Sequence, residues 1–187
     1  MKKGIDVSEN NGVIDWQAIA DAGIEFVMVR SSYGKTGRDE MFQKNVDGAH
    51  AAGLQVGAYH YGYALTPDDA VLEAENCKAA IEEAGVALEL PVIYDMEDAD
   101  GYKGNHGFDF SAENVTAICK AFLDNIGLDT GVYASLSWLE DKIDWKGLGC
   151  AVWNAQWGES DDLQGFMWQY TDSLVIDGRN FDGNILY

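Results

Sequence analysis

Two carboxylic acids, Asp95 and Glu97, closely follow the apolar segment Val92-Ile93-Tyr94. An apolar run of this kind after a proline is typical of a strand that is buried in a parallel sheet. Because side chains alternate between the two faces of a strand, Ile93, Asp95 and Glu97 are expected to point the same way. Burying two neighbouring acids is costly, since both lose hydration and their charges repel each other. Acids that a fold buries at the end of a strand despite this cost are commonly catalytic. We therefore predict that Glu97 is a proton donor and Asp95 its partner.

The elements around this segment alternate between strand and helix about five times. The predicted strands cover residues 4–7, 26–30, 55–61, 91–95, 131–134, 150–154, 166–170 and 180–186. The predicted helices cover residues 15–22, 40–52, 66–84, 111–127 and 137–141, and loops are predicted at residues 31–38 and 98–109. After the fifth pair the helices stop, whereas short strands continue. The pattern predicts an α/β fold in which a parallel sheet closes into a barrel and the last strands are joined directly. Because no linker or repeat interrupts it, we expect one domain over residues 1–187.

The predicted barrel brings two more acids towards Asp95 and Glu97. In barrels of parallel strands, active residues collect at the C-terminal ends of the strands. Asp6 lies near the end of the first predicted strand, and Asp182 lies in the last strand region. We therefore expect four acids at one mouth of the barrel. For Asp6 or Asp182 alone, a helix cap or a solvated loop acid is the alternative interpretation.

Aromatic side chains are frequent near the same mouth. Tyr59 and Tyr61 share one face of the third predicted strand, and Tyr133 and Trp153 lie in later strands. Tyrosine and tryptophan offer a flat apolar face with a polar edge, which suits stacking against sugar rings. Packing in the barrel core is the alternative for about half of these aromatic residues. His60 faces the opposite way, and we expect it to be packed and hydrogen-bonded rather than catalytic.

The composition argues against several classes of partner. The 187 residues carry a formal charge of −20 with only 12 Lys and Arg, and these form no basic cluster. Nucleic acid and anionic membranes are therefore not expected as partners. The 47% hydrophobic content argues against disorder, and neither the three cysteines nor the three histidines have metal-ligand spacing. We expect buried free thiols, no metal, no cofactor and a monomer.

The N-terminal residues do not resemble a secretion signal. Lys2 and Lys3 are followed by Asp6, Glu9 and Asp15, which interrupt any apolar region of the signal-peptide type. No stretch approaches the roughly 20 apolar residues that span a bilayer. We expect synthesis in the cytoplasm with release by lysis, or a leader that has been removed.

Short motifs along nearly the whole chain together resemble glycoside hydrolase family 25, the N-acetylmuramidase lysozymes of phages and bacteria. These motifs are Gly4-Ile5-Asp6-Val7-Ser8, Gly57-Ala58-Tyr59-His60-Tyr61, Tyr94-Asp95-Met96-Glu97, Gly131-Val132-Tyr133, Trp168-Gln169-Tyr170 and Phe181-Asp182-Gly183-Asn184. The resemblance implies an irregular TIM-like barrel of five strand-helix units followed by three strands, (β/α)5(β)3. It also implies bacterial peptidoglycan in the cell wall as the substrate, cut at the β-1,4 bond between N-acetylmuramic acid and N-acetylglucosamine.

The same resemblance assigns expected roles to individual residues. Glu97 matches the general acid of the family, and Asp6, Asp95 and Asp182 match its other active-site acids. The substrate-binding residues that we expect are Tyr33, Tyr59, Tyr61, Tyr133, Trp153 and Gln169. One departure is Asn154, which follows Trp153 where the family usually has an apolar residue.

These residues are compatible with three functions. The first is hydrolysis of peptidoglycan, in which the acetamido group of the substrate attacks the anomeric carbon while Asp95 orients it. The second is a glycan-binding barrel without turnover, which uses the aromatic rim alone. The third is a chitinase-like hydrolase that acts on another acetamido-sugar polymer.

Overall fold

The strands of the computed structural model, which describes residues 1–187, close into a barrel with helices around it. The strands are β1 (Lys2–Val7), β2 (Phe26–Tyr33), β3 (Gly37–Arg38), β4 (Gln55–Tyr61), β5 (Val92–Asp95), β6 (Thr130–Ser135), β7 (Ala151–Ala155), β8 (Met167–Ile176) and β9 (Arg179–Leu186). The helices are α1 (Trp16–Asp21), α2 (Phe42–Ala51), α3 (Pro67–Ala84), α4 (Tyr102–Asn105), α5 (Ala112–Ile126), α6 (Leu136–Asp141) and α7 (Trp145–Leu148), and a 3-10 turn covers Glu9–Asn11. None of these helices has both the length and the apolar character that crossing a membrane requires.

Eight of the strands form the barrel wall, in the order β1-β2-β4-β5-β6-β7-β8-β9, and β9 pairs with β1 to close it. The pairs from β1 to β8 are parallel, whereas β9 runs antiparallel to both β8 and β1. Helices follow the first five wall strands, and the last three strands are joined without a helix. The predicted (β/α)5(β)3 barrel is therefore confirmed.

The two faces of the wall pack against different layers. The outer face contacts the helices through a large apolar cluster that includes Val27, Val56 and Tyr94. The lower interior is filled by a second cluster, formed by Phe26, Met28, Ile93, Trp153, Met167 and Leu186. Apolar packing in the lower interior leaves only the upper end of the barrel free for polar side chains.

The two long helices begin and end at the predicted residues. Thr66 caps α3, because its side chain accepts a hydrogen bond from the backbone N–H of Asp69, and Ser111 caps α5 in the same way. Both helices end at a glycine in the left-handed conformation, Gly85 with φ 63° and Gly127 with φ 68°. These local signals explain why the sequence predicts the longest helices well.

The structure extends two strands and adds two short helices beyond the predictions. Residues 31–33, expected in a loop, continue β2 and pair with β3 as a hairpin. Strand β8 reaches Ile176 instead of residue 170, because it pairs with β9 beyond the barrel wall. The predicted loop at residues 98–109 contains α4, and α7 lies between α6 and β7. A four-residue helix shows too little periodicity to be recognised in a sequence.

The floor of the barrel depends on the close approach of Phe26 to Gly4. A Cβ atom added at Gly4 would lie 2.3 Å from the phenyl ring of Phe26. We expect Gly4→Ala to lower the free energy of unfolding by about 1–3 kcal/mol, because the core is already filled. Urea denaturation checks this value. In a Phe26→Leu background, which removes the outer ring atoms, the additional cost of Gly4→Ala should become smaller; an unchanged cost would contradict the steric explanation.

Candidate active site

A cavity of about 470 Å³ opens at the C-terminal mouth of the barrel, and every wall strand or its exit contributes to its lining. The lining side chains that matter below are Asp6, Arg30, Tyr59, Tyr61, Asp95, Glu97, Tyr133, Trp153, Trp157, Gln169, Asp172 and Asp182. A larger cavity of about 780 Å³ lies near α6 and α7, away from these acids. The cavity at the mouth therefore holds all four acids that the sequence singles out.

Strand register explains why residues that are distant in sequence meet here. Asp95 is in register with Tyr61 on one side and with Tyr133 on the other, and Tyr133 is in register with Trp153. Asp6 on β1 is likewise opposite its partner acid on β9. Side chains at paired positions point to the same face of a sheet, so these residues share the barrel interior.

Asp95 and Glu97 form a closely coupled pair of carboxyl groups. Asp95 is only 5% exposed, whereas Glu97 is partly exposed to the cavity. Burial raises the pKa of Asp95 well above its usual value, and the charge of Glu97 raises it further. Burial also raises the pKa of Glu97, although a hydrogen bond with Asp95 opposes that shift. The two groups therefore titrate as a coupled unit, and burial favours the neutral form of both.

One oxygen of Asp95 is left without a partner. Its Oδ1 atom is buried and makes no hydrogen bond within the protein. A buried acceptor without a donor costs about 1–3 kcal/mol, which a fold rarely tolerates without a reason. The oxygen is thus available to accept a hydrogen bond from a molecule in the cavity.

Asp6 and Asp182 form a second pair on the opposite side of the mouth. The Oδ2 atom of Asp6 accepts hydrogen bonds from Asn184 Nδ2 at 2.7 Å and from Gln169 Nε2 at 3.0 Å. Burial raises the pKa of Asp6 well above its usual value, and the neighbouring charge of Asp182 adds to this. Burial raises the pKa of Asp182 too, while its hydrogen bond with Asp6 lowers it. Burial therefore favours the neutral form of both acids, and it does so more strongly for Asp6, the more deeply buried of the two.

Amide and aromatic side chains hold these acids in place. The indole of Trp153 donates to Asn184 Oδ1 at 2.9 Å, which directs the amide nitrogen of Asn184 towards Asp6. The Oε1 atom of Gln169 accepts from the hydroxyl of Tyr133 at 3.0 Å and from the indole of Trp157 at 3.2 Å. The carboxylate of Asp6 is thus oriented by donors on β8 and β9, which are themselves held by donors on β6 and β7.

The cavity continues into a groove across the barrel mouth. A space of about 450 Å³ beside it shares Arg30 and Tyr61 with the central cavity and is also lined by Tyr33 and Tyr63. A further space of about 650 Å³ shares Tyr33 and Tyr63 with that one and reaches Lys35. On the other side, about 360 Å³ lies beyond Glu97, next to Phe110, Trp138 and Lys142. These adjoining spaces together form a groove lined by aromatic side chains.

The predicted binding residues fall into different positions in the groove. Tyr59, Tyr61 and Tyr133 line the central cavity with partly exposed rings. Trp153 and Gln169 line it too, but they are only 2% and 4% exposed, so they mainly support other side chains. Tyr33 lies outside the central cavity, in the adjoining groove, where the Arg30 guanidinium lies 5.2 Å from its ring centroid.

Several residues of the site were missed by reasoning from the sequence. Trp157, which is 62% exposed at the mouth, was noticed as an aromatic residue near the later strands but not chosen as a binding residue, and Asn184 was noticed only as part of a longer motif. No sequence pattern pointed to Arg30 or Lys103, because an isolated cation is usually a surface residue. Asn154, the departure from the family pattern, is fully buried and donates to Asp161 Oδ1 at 2.7 Å, which ties down the segment after β7.

A (β/α)5(β)3 barrel with paired acids beside an aromatic groove defines a class, the barrel-type glycoside hydrolases. Within this class, the model of glycosyl hydrolases family 25 matches residues 5–179, so the chain belongs to that family. The autolytic lysozyme of Clostridium acetobutylicum is 31% identical over 179 residues, which cover 94% of this chain and 52% of that protein. The resemblance seen in the motifs is therefore confirmed.

Solved structures support the same assignment. The autolysin LytC of Streptococcus pneumoniae, solved with a synthetic peptidoglycan ligand, superposes with a TM-score of 0.89 at 25% identity, covering 100% of this chain and 46% of that one. A family 25 glycosyl hydrolase of Bacillus anthracis shares the fold with a TM-score of 0.76 at 21% identity, covering 100% of this chain and 89% of that one. The chain spans about half the length of the autolytic lysozyme and of LytC.

The raised pKa of Asp6 makes a prediction about stability. A carboxyl group with a raised pKa in the folded protein binds its proton more tightly there than in the unfolded chain. Its contribution to stability is therefore complete below the unfolded pKa of about 3.9 and is lost as the pH rises through the folded pKa. We expect Asp6→Asn to increase the free energy of unfolding at neutral pH by about 0.5–2 kcal/mol, and the gain should disappear as the pH falls towards 4.

Urea denaturation of both proteins between pH 4 and pH 8 measures this difference. The matched control is Asp47→Asn, which changes an exposed aspartate on α2. A loss of stability in Asp6→Asn at neutral pH, or a gain equal to that of the control, would show that the pKa of Asp6 is not raised in the folded protein.

Proposed function

We propose that this chain is a peptidoglycan hydrolase of the muramidase type, acting on the bacterial cell wall as one catalytic unit. It would cleave the β-1,4 bond between N-acetylmuramic acid and N-acetylglucosamine. Membership of family 25 and the similarity to an autolytic lysozyme and to LytC support this activity. The observation that carries the proposal is the coupled Asp95–Glu97 pair at the floor of an aromatic groove, with Asp95 Oδ1 unpaired.

The groove accounts for binding of a polysaccharide. Tyr59, Tyr61 and Tyr133 offer rings for stacking in the central cavity, and Tyr33 extends the aromatic wall to a neighbouring sugar. Trp153 and Gln169 act behind these rings by fixing the acids. The spaces that adjoin the central cavity suit a substrate that extends beyond the bond to be cleaved.

The unpaired oxygen of Asp95 is the acceptor for the acetamido N–H of the substrate. To accept this hydrogen bond with full strength, Asp95 must be ionised. The proton of the coupled pair must then lie on Glu97. Substrate binding thereby loads the proton onto the more exposed carboxyl group, which faces the glycosidic oxygen. Protonation and orientation of the substrate are coupled in one step.

Cleavage then follows a substrate-assisted route. Glu97 gives its proton to the glycosidic oxygen, and the bond from that oxygen to the anomeric carbon breaks with its electron pair leaving on the oxygen. The acetamido oxygen forms a bond to the anomeric carbon from the opposite face, and Asp95 stabilises the positive charge that develops on the amide. Water afterwards attacks the same carbon, Glu97 accepts a proton from it, and the acetamido group is released. A negative charge on Asp182, which lies opposite Asp6 at the mouth, would stabilise the cationic transition state.

Replacing the proton donor tests the assignment of Glu97. We expect Glu97→Gln to reduce the rate of wall lysis by about 10²–10⁴, because an amide cannot donate the proton. Folding, followed by thermal unfolding, should be retained. Glu75→Gln, which alters an exposed glutamate on α3, is the matched control and should leave lysis unchanged.

Mass spectrometry of the fragments released from purified walls identifies the bond that is cut. Fragments with N-acetylmuramic acid at the reducing end support the proposal, and N-acetylglucosamine at that end contradicts it. Binding to walls without any release would indicate the non-catalytic barrel, and release from chitin but not from walls would indicate the chitinase-like alternative.

The stereochemistry of the product tests the role of Asp95. Two displacements at one carbon return the original configuration, so we expect the β anomer to form first. Proton NMR of a soluble oligosaccharide substrate during the first minutes distinguishes the anomers before they equilibrate. Asp95→Asn should be severely impaired with the same substrate. Initial formation of the α anomer would rule out participation of the acetamido group.

A further inference from the structure

A lysine is buried directly beneath the Asp95–Glu97 pair. Lys103 on α4 is only 1% exposed, although it lies in a segment expected to be a surface loop. Its ammonium group donates to the backbone carbonyl of Glu97 at 2.6 Å and to that of Gly62. Gly62 follows β4 and Glu97 follows β5, so Lys103 joins the exits of two neighbouring wall strands.

The backbone around this contact leaves little freedom. A Cβ atom at Gly62 would lie 2.6 Å from the ring and hydroxyl of Tyr94, which explains the glycine. The N–H of Gly62 also donates to the carbonyl of Asp95 at 3.0 Å. Helix α4 itself is held by Asp98, whose carboxylate accepts from the backbone N–H of Lys103 at 2.7 Å. The position of the ammonium is thus fixed from three sides.

Acidic groups face Lys103 from each element packed against it. They are Asp95 at the end of β5, Glu97 and Asp98 in the segment after β5, and Glu73 on α3. The ring of Tyr61 on β4 lies 6.0 Å from the ammonium nitrogen. Burial lowers the pKa of Lys103, and these acids oppose that shift.

Arg30 is the cation that lines the central cavity, and it is already paired with other acids. The guanidinium of Arg30 is engaged by Glu9 at 3.0 Å and by Asp39 at 2.9 Å, on the far side of Tyr61. The charge of Lys103 lowers the pKa of both Asp95 and Glu97, against the effect of their burial. Two carbonyl contacts do not require a charge, since a neutral amide donates hydrogen bonds as well. The buried charge therefore needs an explanation beyond these contacts.

We propose that Lys103 is a positioning residue for the hydrolysis: its ammonium fixes the backbone that carries Glu97, and its charge keeps the Asp95–Glu97 pair at a single proton. Without this charge, the pair would hold two protons over a wider pH range. A doubly protonated pair has no carboxylate at Asp95 to orient the acetamido group. This inference rests on the proposed function for its effect on turnover, whereas its electrostatic part applies to the free protein.

The test uses Lys103→Gln, which keeps donors for the carbonyl groups but removes the charge, and Lys103→Met, which removes both. Lys120→Met, at an exposed lysine on α5, controls for the change in net charge. We expect the bell-shaped pH profile of kcat/KM to move upwards by about one to two pH units in Lys103→Gln and Lys103→Met. This shift is the order expected for one charge roughly 6–12 Å away at an effective dielectric constant of about 20. The effect should lie in kcat rather than in KM, and the control should keep the original profile.

Carbon-13 NMR of the Asp95 and Glu97 carboxyl groups measures the same shift without turnover. An upward shift of the carboxyl pKa values in Lys103→Gln supports the proposal. It does so even if the wild-type protein does not cleave walls, because that result would reject only the proposed function. A wild-type pH profile and wild-type carboxyl titration in Lys103→Gln would show that Lys103 has only a structural role, and would overturn the proposal. If neither variant folds, nitrogen-15 NMR of the wild-type ammonium decides: a neutral Lys103 amine at pH 7 overturns the proposal, and a charged one supports it.

Discussion

Hydrogen bonding holds neighbouring parallel strands of the barrel in register, so that equivalent positions on successive strands point to the same interior. Tyr61, Asp95, Tyr133 and Trp153 form one such row. The antiparallel closure of the barrel places Asp6 opposite Asp182 in the same way. A shift of one residue in any of these pairings would turn the side chain of that strand towards the helices. Both the geometry and the pKa values of the acids follow from this register.

The interior of the barrel changes from apolar to polar along its axis. Below the acids, Phe26, Met28 and Ile93 fill the barrel and exclude water, and this raises the cost of a charge above them. Hydrogen bonds from Asn184 and Gln169 offset this cost at Asp6. The buried ammonium of Lys103 offsets it at the Asp95–Glu97 pair. Burial thus raises the pKa values of the acids, and these neighbouring groups oppose part of the shift.

Much of the fold could be predicted from local patterns. Strand β4 has the predicted bounds, and α3 begins and ends where its Thr66 cap and Gly85 indicate. The extension of β8 could not be predicted, because only Ile176 of residues 171–176 is buried and the segment becomes a strand by pairing with β9. The hairpin of β2 with β3 depends on long-range packing in the same sense. Short elements such as α4 are held by single contacts, here with Asp98, that leave no periodic pattern.

For the candidate site, the sequence by itself determined the chemical types: an acid pair after a buried strand, two further acids at strand ends, and aromatic residues near them. These could be inferred because alternation along a strand and the position of strand ends are local properties. Only the tertiary structure decided that Trp153 is almost fully buried and mainly supports other side chains, that burial raises the pKa of Asp6, and that the buried Lys103 donates to the backbone carbonyl of Glu97. The reason is physical: burial and the sign of a pKa shift depend on neighbours that lie far away in sequence, and no local pattern encodes them.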